Sequence, residues 1–141
     1  MKLVLDSNVL MSMLIKPGRP LNLLFLEGLS IFSPESLWEE LARNKIEIMH
    51  KSQLSSDDFE GLLQVIKKSV VTLSEDILAL FSAKAEHICP DPDDTVFFAA
   101  ALYLNCALWS NEKRLKHQDV IKVYSTHELM EELIDALPPF P

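Results

Sequence analysis

Glycine is scarce in this sequence: Gly18, Gly28 and Gly61 are the only three in 141 residues. Isolated glycines do not make the Gly-rich turn that cradles phosphates, so Walker and dinucleotide fingerprints are excluded. Cysteine is scarcer still. Cys89 and Cys106 have neither zinc-ligand spacing nor the density of a disulfide framework. They read as reduced thiols of a cytoplasmic protein, Cys106 in the core and Cys89 in a loop. No apolar run reaches the roughly 18 residues that cross a bilayer, and Asp6 and Asn8 interrupt the apolar N-terminus where a signal peptide needs continuity. Positive charge is also short. Thirteen Lys+Arg against 21 Asp+Glu leave a net charge of −8, which excludes a protein that coats nucleic acid through general basicity. Any grip on phosphate is then local or borne by a metal ion.

What the chain does have is apolar patterning. A hydrophobic fraction of 48% with 24% charged residues describes a chain that folds, and its length suits one domain over residues 1–141,. No internal repeat or low-complexity segment appears. Leu3-Val4-Leu5 reads as a buried strand, followed by a helix through about Ile15 and a breaker at Lys16-Pro17-Gly18-Arg19-Pro20. Leu21 to Leu26 reads as a short helix closed by Gly28. Ser30-Ile31-Phe32 is a second strand, after which Ser33-Pro34 opens a helix towards His50. Ser55 or Ser56 caps the next helix through Lys68, and Val70 to Leu73 is a third strand. Helices follow around Ser74 to Glu86 and Asp91 to Leu104. Strands at Ala107 to Trp109 and Val120 to Tyr124 come next. Thr126 caps a terminal helix that ends before Pro138-Pro139-Phe140-Pro141. Strands alternating with helices predict a parallel sheet covered on both faces. Ligands of such sheets bind beyond the carboxyl ends of the strands.

Acids recur at those ends. Asp6 follows the first strand, where it either caps the next helix or faces the ligand edge. Asp91-Pro92-Asp93-Asp94 makes a good helix start, but three carboxylates in four residues exceed what capping needs. Asp94 shares a helical face with Phe98 and Ala101, which turns it inward. Glu112 lies three residues beyond Trp109, either near a Ser110 cap or at the same edge. Glu39 and Glu40 fall at opposite borders of an apolar arc formed by Leu37, Trp38, Leu41, Ile48 and Met49, and periodicity does not choose between them. If Asp6, one of these glutamates, Asp94 and Glu112 converge, each pair of charges some 4 Å apart costs about 4 kcal/mol at an effective dielectric of about 20. Carboxylates so placed protonate or bind a cation. An all-oxygen ligand set favours Mg²⁺ or Mn²⁺ over zinc, and such ions activate water for phosphodiester hydrolysis.

The quoted segments resemble the PIN domain family. The matching stretches are Leu3-Val4-Leu5-Asp6-Ser7-Asn8-Val9-Leu10, Ser33-Pro34 leading to Glu40-Leu41-Ala42-Arg43, Asp91-Pro92-Asp93-Asp94-Thr95-Val96-Phe97-Phe98-Ala99-Ala100-Ala101, and Ala107-Leu108-Trp109-Ser110-Asn111-Glu112-Lys113-Arg114-Leu115. Their order and spacing extend over nearly the whole chain. The resemblance implies a three-layer α/β/α sandwich with a five-stranded, mainly parallel sheet and metal-dependent cleavage of single-stranded RNA. It further implies a VapC-like toxin with an antitoxin partner, and a homodimer. Asp6, Glu40, Asp94 and Glu112 match the family's acidic metal positions, its acid-before-Leu pattern selecting Glu40 over Glu39. Asn8 and Ser110 match the polar residues that orient those acids, with Asp91 as an additional carboxylate behind them. The fourth acid is usually Asp, and here it is Glu112. A misplacement of about 1 Å costs about a hundredfold in rate, so this departure implies weakened or altered activity.

For the substrate, Lys113, Arg114, Lys116 and His117 form the one concentrated basic stretch, and Arg19 lies in the Pro-rich loop. Each reads either as solvated surface or as a phosphate clamp on RNA. His50, His87 and His127 read as surface residues. Three functions remain in view. They are a Mg²⁺- or Mn²⁺-dependent ribonuclease, a PIN-fold RNA- or protein-binding module that has lost turnover, and a phosphotransferase with an Asp nucleophile. Against the last, Asp6-Ser7-Asn8 lacks the second Asp of a dehalogenase-like pair. The early apolar residues Leu10, Met11, Met13, Leu14, Leu23, Leu24, Phe25 and Leu26 exceed what one sheet face buries, and their excess predicts a dimer interface or an antitoxin groove.

Overall fold

In the computed structural model, residues 1–136 are described. Leu3, Val4 and Leu5 are fully buried, as expected of a strand covered on both faces, and β1 (Lys2–Leu5) is central. It pairs in parallel with β2 (Ser30–Pro34) on one side and β4 (Ala107–Trp109) on the other. β3 (Val70–Leu73) and β5 (Val123–Tyr124) complete a five-stranded parallel sheet in the order β3-β2-β1-β4-β5. The chain builds outward from β1 to β3, then returns to lay β4 against the other side of β1. That reversal puts a topological switch point between the carboxyl ends of β1 and β4, where open parallel sheets form a crevice.

Helices α1 (Ser7–Ile15), α2 (Ser36–Lys51), α3 (Ser56–Ser69), α4 (Glu75–Leu78), α5 (Ser82–Ile88), α6 (Thr95–Leu104) and α7 (Thr126–Leu133) flank the sheet. α1 packs against α2, whereas α6 lies on β1, β2 and β4. Phe97, Phe98, Ala99, Ala100 and Ala101 of α6 are buried, and Trp109 and Leu108 meet them in the core. Asn105 ends α6 in the left-handed conformation (φ 50°), which asparagine tolerates better than most residues. Among the described residues, no helix is long and apolar enough to cross a membrane.

Several local expectations are corrected. Ser33 and Pro34 do not open α2; they close β2, with Pro34 beyond the part paired to β1. The Ser33 hydroxyl donates to the Leu5 carbonyl at 2.9 Å, and α2 starts at Ser36 without a side-chain cap. The segment expected as a helix from Leu21 is a 3₁₀ helix over Arg19–Phe25. The helix expected around Ser74 to Glu86 is broken by a 3₁₀ turn at Ala79–Phe81. A 3₁₀ turn at Pro92–Asp94 likewise precedes α6. β5 is two residues long because Gln118 winds up the preceding loop, its side chain bonding Leu115, Val120 and Ile121. Ser125, not Thr126, caps α7, in a reciprocal box with Glu128,. The Thr126 hydroxyl instead accepts from the Trp109 indole. The expected end of that helix before Pro138 lies outside the described residues.

The early apolar residues are core after all. Leu10, Met13, Leu14, Leu23 and Leu24 are all at most 5% exposed, and only Phe25 of that set is exposed. Met11 and Leu26 pack partly buried against them. Most of the set is therefore core, because the 3₁₀ segment packs on α3 and α7, and Phe25 is the member left exposed. Cys89 and Cys106 are both free and partly buried.

Candidate acidic site at the switch point

Asp6 is the first residue beyond β1 and is 1% exposed. Its two oxygens serve two elements. It is the N-cap of α1, accepting from the Asn8 backbone N–H in a long contact of 3.5 Å. Its other oxygen accepts from the Ser110 hydroxyl at 2.7 Å, across the switch point from the end of β4. Burial raises the Asp6 pKa and the Glu40 charge adds to the rise, against the hydrogen bonds from Ser110, Asn8 and Ser7. Ser110, itself 1% exposed, also accepts from the Glu112 backbone N–H at 3.1 Å. One hydroxyl thus ties the first acid to the loop carrying the last.

Glu40 is half-buried and Glu39 exposed. The Ser7 hydroxyl donates to Glu40 Oε2 at 2.5 Å and lies 3.5 Å from Asp6 Oδ1. Ser7 thereby bridges α1 to α2. It enters the sequence reading only as a member of the matched N-terminal segment; the signal that could have found it was its position beside Asp6 at a strand end. Asn8 was expected to orient an acid, but its side chain is exposed and only its backbone reaches Asp6.

Asp94 is half-buried and ends the 3₁₀ turn that Asp91 caps through the Asp93 N–H. Its carboxyl is pushed up to about 7, first by burial and then by the negative charges of Asp6, Asp91, Glu40 and Glu112. The four expected acids therefore share one electrostatic field. They do not share one coordination centre. Among the described residues no three Asp, Glu, His or Cys side chains are grouped so as to hold a metal ion. Asp6 and Glu40 spend oxygens on serine hydroxyls, and Glu112 is exposed. In this arrangement the donor chemistry suits a hard divalent cation, but the geometry does not fit one.

The expected phosphate clamp is partly occupied by internal pairs. Lys116 pairs with Glu128. Arg114 lies 3.7 Å from Asp91 and donates to the Pro90 carbonyl, so Asp91 is engaged by an arginine and by the turn it caps. Lys113 is exposed at the edge of the site. Arg19 sits at the start of the 3₁₀ segment with its Nε buried and unpartnered, and no described contact joins it to the acids. His50, His87 and His127 are exposed as expected.

A parallel sheet in the order β3-β2-β1-β4-β5 makes this an α/β domain, with the candidate acidic site at the carboxyl ends of β1 and β4. The sequence matches the PIN domain over residues 4–134, and the chain belongs to that family. Among solved structures it is similar to the crystal structure of VapBC2 from Rickettsia felis bound to a DNA fragment from their promoter. That likeness has a TM-score of 0.60 at 15% identity and covers 89% of this chain and 98% of that one; it is a likeness of fold. No curated protein matches.

Proposed function

We propose that this chain is a PIN-fold binding module for RNA or protein with weak or no turnover of its own. The carrying observation is that Asp6, Glu40, Asp94 and Glu112 crowd one edge without three ligands meeting around a point. Two of these acids are held by serines that fix them to the scaffold. Glu112, where the family usually has Asp, is the acid most open to solvent of the four. Among the described residues Lys113 is in no ion pair and is the cation beside the site best suited to a phosphate, with Arg114 and Lys116 able to join by leaving Asp91 and Glu128. Arg19 is proposed for the same role from its loop position alone. Asn8, Ser110 and Asp91 act by holding the acids and their loops in place.

A second reading is favoured by one observation, the elevated Asp94 carboxyl. Anions that repel one another so strongly are stabilised by a cation. In this reading the chain is a Mg²⁺- or Mn²⁺-dependent endoribonuclease of the cytoplasm. Asp94 and Glu112 then turn towards Asp6 to complete the site. The fold likeness to VapBC2 supports a toxin role with an antitoxin partner, and the homodimer is carried over from the family alone.

The two readings separate on single-stranded RNA oligonucleotides incubated with Mn²⁺ or with EDTA. The binding module gives retention of RNA with no cleavage above the EDTA control. Cleavage with Mn²⁺ that disappears in both Asp6→Asn and Asp94→Asn overturns it in favour of the nuclease.

A further inference from the structure

A cleft of about 340 Å³ lies between α4–α5 and α6, and its lining includes none of Asp6, Glu40, Asp94 and Glu112. One wall is Glu75, Leu78, Ala79 and Ser82, spaced i, i+3, i+4 and i+7. The facing wall is Thr95, Val96 and Ala99 on one side of α6, and Pro92 and Asp93 close one end. Leu78 and Ala99 are each 2% exposed and make an apolar floor. Glu75 and Asp93 stand exposed on the rim. No lysine, arginine or histidine lines the cleft, and among the described residues neither rim carboxylate is in an ion pair. Beside it in the chain, Leu80 is 82% exposed.

An apolar floor under a rim whose two charged residues, Glu75 and Asp93, are both acidic selects its occupant. A nucleic-acid strand brings phosphates against Glu75 and Asp93, on a chain of net charge −8, and is repelled. An amphipathic polypeptide with apolar side chains flanked by lysine or arginine satisfies both features. The cleft is at the small end of ligand pockets, which span about 300–1,000 Å³, so one or two apolar side chains fill it. We propose that this cleft is a docking site for a cationic, amphipathic segment of a partner protein. Its apolar side chains seat over Leu78, Val96 and Ala99, and its basic residues pair with Glu75 and Asp93. The proposal deepens the binding-module reading and rests on it for its biological use, but it needs none of the carboxylates at the switch point.

The test uses a synthetic helical peptide with leucines at i, i+3, i+4 and i+7 and lysines and arginines beside them. Two control peptides replace the basic residues with glutamate or the leucines with serine. Binding is followed by fluorescence anisotropy and by amide chemical shifts of the whole chain. The basic apolar peptide is expected to bind, to shift amides of residues 75–82 and 92–99, and to weaken as salt rises. Glu75→Lys with Asp93→Lys, both surface changes, is expected to weaken it at least about tenfold by removing the charge complement. Val96→Trp is expected to block it by filling the cleft. Melting curves of each variant separate lost binding from lost folding. Equal binding of the glutamate or serine peptide, or shifts located elsewhere, overturns the proposal. So does the same set of amides moving with single-stranded RNA, or with protein concentration alone. Failure of RNA retention with the peptide result intact refutes the RNA part of the functional reading and leaves this site standing.

Discussion

Replacing Asp94 with asparagine is expected to stabilise the protein at pH 8 and to leave its stability nearly unchanged at pH 4. The Asp94 carboxyl sits at about 7 against an ordinary value of 3.8, so the folded chain holds this proton more tightly than the unfolded chain does. Below 3.8 both states are protonated and the site costs little. As pH rises from 3.8 towards 7 the unfolded state releases its proton first, and stability falls until the folded state is ionised too. The full displacement corresponds to about 4 kcal/mol against the ionised form, which solvent access to a half-buried carboxyl reduces to about 2 kcal/mol. Asp94 also stands at the N-terminus of α6 without a capping bond, where a negative charge is worth about 0.3–1 kcal/mol. The net gain from Asp94→Asn at pH 8 is then about 1–2 kcal/mol, or roughly 3–6 °C in melting temperature for a chain of this size. Thermal melts of both proteins at pH 4, 6 and 8 measure it. A variant no more stable than the parent at pH 8, or one stabilised equally at all three, would refute the account of crowded, mutually repelling carboxylates.

Ser110→Ala removes the 2.7 Å donor of the buried Asp6 carboxyl and should cost about 2 kcal/mol, read from the urea midpoint at pH 8. Phe98→Ala leaves a cavity under a side chain with no exposure, and a loss of about 3–5 kcal/mol should lower its melting temperature by roughly 9–15 °C. Ser125→Ala opens the capping box at the start of α7 for about 1 kcal/mol, visible as a lowered midpoint with an unchanged denaturant slope.

Much of the scaffold was legible from local patterning. β1 to β4 are short apolar runs bounded by polar or turn residues, and their parallel pairing follows from the helices between them. What the pattern hid was long-range side-chain bonding. The loop before β5 looks like strand because Val120, Ile121 and Val123 are β-formers, but the Gln118 amide captures its backbone groups first. Ser33 looks like a helix cap until Leu5, 28 residues away, claims its hydroxyl. The same limit applies at the acidic edge. Asp6, Asp94 and Glu112 stand out as acids following strand ends or opening a helix, whereas Glu40 is chosen over Glu39 by the family resemblance alone; it is the half-buried member of that pair. That Ser7 and Ser110 lock two of them, and that Lys116 and Arg114 are spent on Glu128 and Asp91, is a property of the folded chain. Spacing carries no trace of it.

Calorimetric titration with Mn²⁺ at pH 7.5, on the parent and on Asp6→Asn, tests the central claim most directly. With carboxylates that share a field but no common centre, the parent is predicted to give no saturable heat below millimolar metal and to match the variant. Saturable binding at micromolar Mn²⁺ in the parent, lost in Asp6→Asn, would contradict it.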